Sequence, residues 1–578
     1  MKKLILTNLD HFEKISDDYI FLGPWCFRDQ EEREKLWDEI YFEELFGSDE
    51  EFEEASNYIT NFSQHLIEKY SQQLNELHKT NYSNSYWSIL LMPWIIRSLE
   101  IFFIRYKNLK KLPNIDYSVN ILNMQATPIF DTSRDLFNYL LTSHGQYYSY
   151  SILINHLKPK YFKISYIEDE NLIKENESIY WPDFINELRR SLKQYLNICL
   201  ANISGIYIDG IKGISLLDSL DIGIKLSKIK NTKSTLDYQP VKFTNFQSKY
   251  KDFEYFIEDH LFNLIPNSFT KRFKNYEINA KRKIKLLGKK HKIAVVGAIM
   301  GGIDNQRYFL AHFKEERNGK IAISQHGGFS YGIARTFPAM AMIEYLNADY
   351  FLSWGWDKHS NYIVNAIPLA SPLLSKKIHS KNKSSKDIIF IGTQIKLTND
   401  KLASRIQTEQ SQNYRKEKIN FINSLEINNL NNLFYRPYFS EIDSYPERSF
   451  LKLKIPKIRF IEENFEERLL KARCLILDHP GTTFDISIAA NIPTLLFWNK
   501  DSWLFTNEGE IILNKLEKSG IYHPDGKSAA YFLNSIAFDE DIWWNSKEVQ
   551  EVKTMYQKKY AMISKSWQDD WVKILKKL

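Results

Sequence analysis

The turn that follows the apolar run CLIL carries residues suited to binding a phosphate group. A short apolar run bounded by a turn predicts a buried strand, and the apolar residues after the turn predict a helix. Backbone N–H groups at the start of a helix point at a bound anion, and the helix dipole favours negative charge there. The alternative is an ordinary helix cap made by one of two threonines. We assign to phosphate binding five residues of the sequence DHPGTTFD: His479, Pro480, Gly481, Thr482 and Thr483.

A second turn, SQHGGFSYG at residues 324–332, also follows an apolar run. His326 would stand at the end of the predicted strand, where an imidazole with an ordinary pKa of about 6.5 can act as a general base. Gly327 and Gly328 would let the backbone approach a ligand closely, and we assign them, with Gln325, to the acceptor side of a cleft. The alternative is a loop histidine with structural hydrogen bonds only.

The segment GAIMGGID, residues 297–304, is rich in glycine and follows a third apolar run. It lacks the GK[ST] ending of a P-loop and does not match GxGxxG, so it is a weak nucleotide motif. We interpret its glycines as allowing close approach of a domain or an acceptor. Asp304 is a second candidate base.

Four further residues lie at or near the ends of predicted strands in the last third of the chain. Arginine can bind a phosphate or a carboxylate through two parallel hydrogen bonds, and glutamate can hold the hydroxyl groups of a ribose. We assign these residues to the donor, and structural salt bridges are the alternative for the charged ones. They are Gly392, Arg436, Glu462 and Glu463.

Metal chemistry finds little support in the sequence. The DED sequence at residues 539–541 has the DxD form that holds a divalent ion on a nucleotide diphosphate, but it adjoins a predicted helix that it can cap. No HExxH, GxSxG or paired-cysteine pattern occurs. We predict neither a metal nor a cofactor.

Length and composition are typical of a folded multidomain protein. A chain of 578 residues suggests about two to four domains, and a 43% hydrophobic and 26% charged composition is that of a soluble protein. Three widely spaced cysteines indicate neither a zinc ribbon nor a disulfide framework, which fits a reducing cytoplasm. The apolar run at the N-terminus is too short for a signal peptide. We therefore predict a cytoplasmic location.

Charge and hydropathy raise the question of a surface partner. The basic segment at residues 271–292 can touch an anionic membrane, a phosphorylated acceptor or nucleic acid, but a solvated helix face or linker explains it better. The most apolar stretch, residues 86–106, contains two arginines and a glutamate, and one charge at the bilayer centre costs roughly 2.5 to 3.5 kcal/mol. We predict a buried helix there and keep peripheral contact with the inner membrane as an alternative. We predict no nucleic-acid partner.

Strand and helix signals alternate in the second half of the chain, as in parallel sheets with crossover helices. Strands are predicted in KLILTNL, YIFLG, KIAVVGAIM, KIAISQHGG, ADYFLSWGW, DIIFIGTQ, NLFYRPY, KIRFIE, CLILDHPGTT and IPTLLFW. Helices are predicted at residues 52–78, 87–109, 305–316, 333–347 and 401–425. Residues 118–252 give a mixed signal in which little can be placed.

These signals predict an α/β protein with two sheet-bearing domains. The first domain spans residues 1–370, a linker spans 371–386, and the second domain, which carries the predicted phosphate-binding turn, spans 387–538. Helices at residues 539–578 are expected to pack back towards the first domain.

This organisation resembles the GT-B plan of glycosyltransferases, in which two sheet domains face each other across a cleft. Several blocks are also similar to those of bacterial transferases of lipopolysaccharide and capsule biosynthesis: LILTNLD, FLGPWC, SYWSILLMPWI, SQHGG, YRPY and RFIEENFEERLLKARCLILDHPGTTF. The resemblance covers most of the chain. It implies two Rossmann-like domains with a large helical N-terminal elaboration, and a sugar as the transferred group.

A looser resemblance concerns the donor. His479 and Pro480 followed by threonines are similar to the His-Pro and Ser/Thr motifs that hold CMP in bacterial GT-B sialyltransferases, and the two histidine turns are similar to those of polyol-phosphate transferases. The resemblance implies a metal-independent glycosyltransferase that uses a nucleotide-activated sugar, such as a CMP-activated nonulosonic acid or Kdo-like sugar. Its acceptor would be a glycan or lipid-linked glycan. A polyol-phosphate transferase, a sugar-nucleotide epimerase and a non-catalytic glycan-binding protein stay open as alternatives.

Overall fold

The structure is a computed structural model of the chain. It describes residues 1–12, 16–27, 42–123, 127–168, 184–228, 246–288, 292–297, 304–328, 331–378, 385–438, 443–462 and 465–578. The glycine-rich residues 298–303 and the donor candidate Glu463 lie outside the described residues. The predicted α/β class is confirmed, because helices surround three sheets of parallel strands.

The three sheets follow one another along the chain. The first has the order β2-β1-β3-β4, with β1 (Lys2–Ile5), β2 (Tyr19–Phe21), β3 (Tyr117–Leu122) and β4 (Phe162–Ile167). The second has the order β5-β6-β7-β8-β9, with β5 (Tyr207–Asp209), β6 (Ile293–Val296), β7 (Lys320–Ser324), β8 (Tyr350–Ser353) and β9 (Ala366–Pro368). The third has the order β11-β10-β12-β13-β14, with β10 (Ile388–Ile391), β11 (Leu433–Arg436), β12 (Cys474–Leu477), β13 (Thr494–Phe497) and β14 (Tyr522–His523).

Helices connect and cover these strands. In the first half they are α1 (Asp49–His78), α2 (Asn84–Lys110), α3 (Ser133–Leu140), α4 (Ser143–Leu157), α5 (Phe184–Ser204), α6 (Leu216–Ser227), α7 (Lys251–His260), α8 (Phe273–Leu286) and α9 (Asp304–Arg317). In the second half they are α10 (Pro338–Met340), α11 (Pro372–Ser375), α12 (Ser411–Asn423), α13 (Ile427–Leu430), α14 (Glu447–Lys454), α15 (Phe465–Lys471), α16 (Thr482–Ala490), α17 (Asn507–Lys518), α18 (Gly526–Ser535), α19 (Glu540–Trp544), α20 (Lys547–Tyr560) and α21 (Trp567–Leu575).

Most of the predicted elements of the second and third sheets are confirmed. Strands β6, β7, β8, β10, β11, β12 and β13 lie within the predicted apolar runs, and helices α1, α2 and α9 lie where periodicity placed them. Strand β7 is the middle strand of the second sheet and β12 of the third. Since the strands are parallel, the turns after β7 and β12 lie at the carboxyl edges of their sheets, where ligands bind in such folds.

Two helix predictions are partly wrong, because tertiary hydrogen bonds hold the chain in another conformation. The helix predicted at 401–425 begins only at Ser411, since Leu402 donates its N–H to Glu100 and Ser404 bonds to Thr336. The helix predicted at 333–347 forms only α10 and a π-helical turn, Ala341–Tyr345. The run KIRFIE contributes one bridge, between Phe460 and Tyr435, instead of a strand.

The sequence predicted two domains with a sheet in each, and the structure has three sheets. Buried residues are mixed with partly exposed or exposed ones along β3 and β4, as in YSVNIL and FKISYI. Neither strand therefore forms a continuous apolar run. Strand β5 has three residues only. These strands were therefore not predicted within the mixed signal of residues 118–252.

Helix α2 is apolar and long enough to cross a membrane, but it is the core helix of the described protein, as predicted. Hydrogen bonds to neighbouring segments stabilise charged residues of this helix. Arg105 donates to Ser149 Oγ and Leu140 O, both at 2.6 Å, and the Glu100 carboxylate accepts the Leu402 N–H at 3.0 Å. These bonds let α2 stay buried despite its charges.

The C-terminal helices contact the second sheet and helix α16. Trp571 of α21 donates its indole N–H to Ala370 O at 2.9 Å, just after β9. Tyr556 of α20 donates its hydroxyl to Asp485 Oδ1 at 2.7 Å, in the first half of α16. The end of the chain thereby fixes α16 against the second sheet.

Candidate active site

The two histidine turns meet directly. The Gly328 N–H, after β7, donates to Thr482 Oγ1 of α16 at 3.0 Å. A Cβ at Gly328 would lie 1.2 Å from Asp485 Oδ2, so only glycine allows this contact. The carboxyl edges of the second and third sheets therefore form one site, which includes the residues predicted for acceptor and phosphate.

The imidazole of His326 rests against two buried side chains. Tyr331 Oη lies 2.7 Å from Nδ1 of His326 and donates to Glu344 Oε2 at 3.2 Å. Glu344 Oε1 lies 3.6 Å from the same Nδ1. The His326 side chain is 23% exposed while Glu344 is fully buried, so the ring stands between this pair and solvent.

Burial determines the charge of this group. It raises the pKa of Glu344 to about 8, against the hydrogen bond from Tyr331, and Glu344 is therefore protonated at neutral pH. Burial and then the positive charge of Lys212 lower the pKa of His326 to about 4. His326 is neutral at pH 7, and a neutral imidazole can accept a proton.

Lys212 is a site residue that the sequence analysis missed. It follows β5 in the run YIDGIKG, at the carboxyl edge of the second sheet, and burial lowers its pKa. Among the described residues it has no hydrogen-bond or ion-pair partner, although its charge acts on His326. The signal available was a glycine-flanked lysine directly after a strand. The short β5 concealed it.

Gln325 supports the turn from within and does not face an acceptor. Its Oε1 accepts the N–H of Trp354 and the indole N–H of Trp356, both at 2.9 Å. Its Nε2 donates to Gly327 O at 2.7 Å. Gln325 is buried, so its predicted place beside the acceptor is not where the structure puts its side chain.

His479 is oriented by a buried carboxylate. Its Nδ1 lies 2.9 Å from Asp478 Oδ1, and the same oxygen accepts the Thr393 N–H at 3.1 Å. Burial opposes ionisation of Asp478, but the charge of Lys418 and the bond to His479 outweigh it and lower the pKa of Asp478. An ionised Asp478 only accepts, so Nδ1 of His479 carries a proton and Nε2 is turned away from Asp478.

Two glycines near His479 have different effects, one at the ring itself and one in the interior. A Cβ at Gly481 would lie 2.8 Å from Nε2 of His479, so glycine leaves that nitrogen uncovered. Gly392 allows close packing in the interior, because a Cβ there would lie 1.8 Å from Tyr435 Oη. Gly392 therefore packs on the buried group around Lys418 and does not itself face a donor.

Lys418 is the centre of that buried group. Its Nζ lies 3.0 Å from Asp478 Oδ2, donates to Tyr435 Oη at 3.1 Å and pairs with Glu447. The neighbouring carboxylates raise the pKa of Lys418 against its burial, so it stays charged. The charge of Lys418 in turn keeps Asp478 ionised behind His479.

The start of α16 is not an ordinary threonine cap. Gly481 is the N-cap residue and has no side chain to bond the first-turn N–H groups, while Thr482 and Thr483 lie inside the first turn. The capping alternative is therefore wrong for both threonines. Phe484 donates its N–H to Gly481 O at 3.0 Å, so the amides at this helix start that an anion can use are those of Thr482 and Thr483.

The remaining candidates stand apart from the two turns. The Arg436 guanidinium lies 5.2 Å from the centre of the Phe465 ring, and the exposed Glu462 pairs with Arg448. Asp304 is buried at the start of α9 and pairs with Arg307, so its carboxylate is engaged in an interior ion pair. The structure does not bring these three candidates to His326 or His479.

The chain matches the model of a protein family. The family model described as LIC12162 family transferase matches residues 2–575, which is nearly the whole chain. No curated protein matches the chain.

Proposed function

Since the chain belongs to the LIC12162 family of transferases, we propose that it is a glycosyltransferase, which moves a sugar from a nucleotide-activated donor to a bacterial surface glycan. The hydrogen bond from Gly328 to Thr482 carries this proposal. It joins a turn with a neutral histidine to a helix start suited to phosphate. A base and a phosphate site are the two parts that a transfer from an activated phosphate requires.

In the reaction that we propose, the neutral His326 removes the proton of the acceptor hydroxyl. The acceptor oxygen forms a bond to the anomeric carbon of the donor as the bond from that carbon to the phosphate oxygen breaks. The electron pair leaves with the phosphate. His326 Nδ1 faces Tyr331, whose hydroxyl holds the ring in place.

The departing phosphate gains negative charge in the transition state, so donors that are already in place are worth most there. In our proposal this set comprises the amides of Thr482 and Thr483, the hydroxyl of Thr483, and Nε2–H of a His479 ring that is protonated on both nitrogens, with its Nδ1–H donated to Asp478. Lys212, on the opposite sheet edge, would add a positive charge close to His326. Closure of the two edges would exclude water that otherwise hydrolyses the donor.

We further propose that the second and third sheets are the two halves of a GT-B cleft and that the reaction needs no metal. The adjacent His479, Pro480 and threonines favour a CMP-activated donor, with a nonulosonic acid or Kdo-like sugar as the group transferred. The acceptor in this proposal is a glycan or lipid-linked glycan at the cytoplasmic side of the inner membrane, where the enzyme binds peripherally.

The test incubates the purified chain, in EDTA, with a CMP-linked sugar or with CDP-glycerol, and measures CMP release with and without a surface-glycan acceptor. Acceptor-dependent release from the CMP-linked sugar supports the proposal. Release from CDP-glycerol indicates a polyol-phosphate transferase, and donor conversion without acceptor indicates an epimerase. No turnover of any donor indicates a binding protein and contradicts the proposal.

A thermal-shift panel of CMP, CDP, UDP and GDP identifies the nucleotide. A ligand at about 100 times its Kd adds about 2.7 kcal/mol to the free energy of unfolding. We expect the largest shift with CMP. The largest shift with UDP would replace our donor by a UDP-activated hexose.

A further inference from the structure

A second group of positive charges lies where helix α2 meets the loop after β10. Arg97 and Glu100 are one turn apart on α2, and the Glu100 carboxylate accepts the Leu402 N–H at 3.0 Å. That bond places Lys401, the residue before Leu402, beside the Arg97 face of the helix. The site thus joins the first part of the chain to the third sheet.

The two cations have no partner among the described residues. Neither Arg97 nor Lys401 makes a hydrogen bond to them, and neither has one of their carboxylates within 4.0 Å, while both side chains are partly exposed. The two nearest carboxylates are already engaged. Glu100 binds the backbone of the loop, and Asp400 pairs with Arg405.

The charges at this place repel one another. The charge of Arg97, and then burial, lower the pKa of Lys401 to about 7. Burial raises the pKa of Glu100 to about 7, so its carboxylate compensates only in part at neutral pH. The groups that act on this cluster are Arg97 and Glu100 of α2, Asp400, Lys401 and Arg405 of the loop, Lys396 nearer β10, and Tyr362, the phenol that Glu100 faces.

The loop also connects this cluster to the segment that follows the His326 turn. Ser404 donates its N–H to Thr336 O at 2.8 Å, and the Thr336 N–H donates to Ser404 Oγ at 2.9 Å. The loop leaves β10 at the carboxyl edge of the third sheet and reaches, through Ser404, the segment that follows the His326 turn.

We propose that Arg97 and Lys401 bind a phosphate group of a substrate, as an anion site separate from the start of α16. Arginine offers a planar pair of donors that matches a phosphate, and lysine adds a compact charge. A bound dianion would reduce the repulsion between the two cations, which Glu100 and Asp400 offset only in part. The proposal rests on the proposed transfer and adds that one substrate carries a second anionic group.

The test titrates the full chain with sulfate by calorimetry, in two buffers of different ionisation enthalpy, near pH 7.5. Sulfate does not titrate in this range, so any protons taken up on binding are bound by the protein and supplied by the buffer. We expect an uptake of up to about one proton, because the anion raises the pKa of Lys401. Arg97→Gln and Lys401→Gln should each weaken this binding by about tenfold or more, and Lys401→Gln should reduce the proton uptake to the part that Glu100 contributes.

The control is Lys452→Gln, an equal charge change at an exposed lysine of α14, which should leave sulfate binding unchanged. Sulfate bound at α16 stays in all three variants and takes up no proton from Lys401. Binding and proton uptake that are the same in wild type, R97Q and K401Q would overturn the proposal, as would the lack of any proton-coupled binding. Sulfate needs no turnover, so this outcome is separate from failure of the proposed transfer.

Two probes distinguish the source of the phosphate. If it belongs to the donor, R97Q weakens binding of CDP or CMP. If it belongs to the acceptor, R97Q leaves nucleotide binding unchanged and weakens binding of glycerol 3-phosphate. Either result supports the site, and no effect of R97Q on any of these probes overturns it.

Discussion

The turns after β7 and β12 look alike in sequence, since each follows a buried strand and combines a histidine with glycine, yet their surroundings differ. His326 rests on Tyr331 and on Glu344, whose pKa burial raises to about 8. His479 rests on Asp478, whose pKa is lowered because the charge of Lys418 outweighs burial. One histidine has a neutral acid behind it, and the other has a carboxylate.

The two surroundings give the two imidazole rings different proton chemistry. The acid behind His326 does not stabilise an imidazolium, so the ring stays neutral and can take a proton from a substrate. The carboxylate behind His479 fixes Nδ1–H and leaves Nε2 for a ligand, as a carboxylate does behind a metal-binding or catalytic histidine. In the proposed reaction the two histidine turns therefore have separate roles.

The largest expected effect tests the base. His326→Ala should lower kcat by about 10²- to 10⁴-fold, the usual contribution of a positioned base, with little change in donor KM. Steady-state transfer from the donor found active measures it. His11→Ala, at an exposed histidine between β1 and β2, is the control. An unchanged kcat in H326A would mean that His326 is not the general base.

The next effect tests the carboxylate behind His479. Lys418→Met should lower the free energy of unfolding by about 3 to 5 kcal/mol, because Asp478 and Glu447 would stay buried without their cation. Chemical denaturation measures the loss. Lys416→Met, an exposed lysine on the same helix α12, should change little. Equal stability of both variants would mean that Lys418 does not hold Asp478 ionised.

A third effect tests the contact between the turns. Gly328→Ala should cost about 1 to 3 kcal/mol and reduce kcat, because its Cβ would meet the buried Asp485 Oδ2. Gly327→Ala is the matched control, since its Cβ would lie 3.4 Å from the Tyr331 ring, an ordinary contact. If both alanines were tolerated equally, the two sheet edges would not meet as described.

The smallest effect tests the neutral acid behind His326. In the unfolded chain Glu344 ionises near pH 4.5, but in the native protein it keeps its proton up to a pKa of about 8. The native state therefore binds more protons in this window, and stability falls as pH rises. Above about pH 6.5 the opposite contribution of His326, whose native pKa is about 4, is complete.

Between about pH 6.5 and 8, wild type should lose about 1 to 2 kcal/mol more than Glu344→Gln. Denaturant midpoints across this range measure the difference in slope. Glu548→Gln, at an exposed position of α20, should keep the wild-type slope. A wild-type slope in E344Q would mean that Glu344 is already ionised.

Short motifs after apolar strands are the part of the candidate site that the sequence could locate, and the structure brings the two turns together. His326, His479 and the start of α16 were found because glycine-rich turns after CLIL and KIAIS are local signals. Lys212 was missed because β5 has only three residues. Glu344 and Lys418 were missed because they come from other segments and reach the histidines only through the fold. Tyr331 lies in the quoted turn itself, but its contact with His326 is not visible in the sequence. The charges that distinguish the two histidines are therefore tertiary properties.

The most direct test of separate roles is nucleotide binding, measured by calorimetry with the nucleotide that stabilises the protein most. We predict that His479→Gln raises its Kd by about 10- to 100-fold, the value of a hydrogen bond to a charged phosphate, while His326→Gln leaves Kd unchanged. Equal Kd values for wild type and H479Q, or equal losses in both variants, would contradict the account.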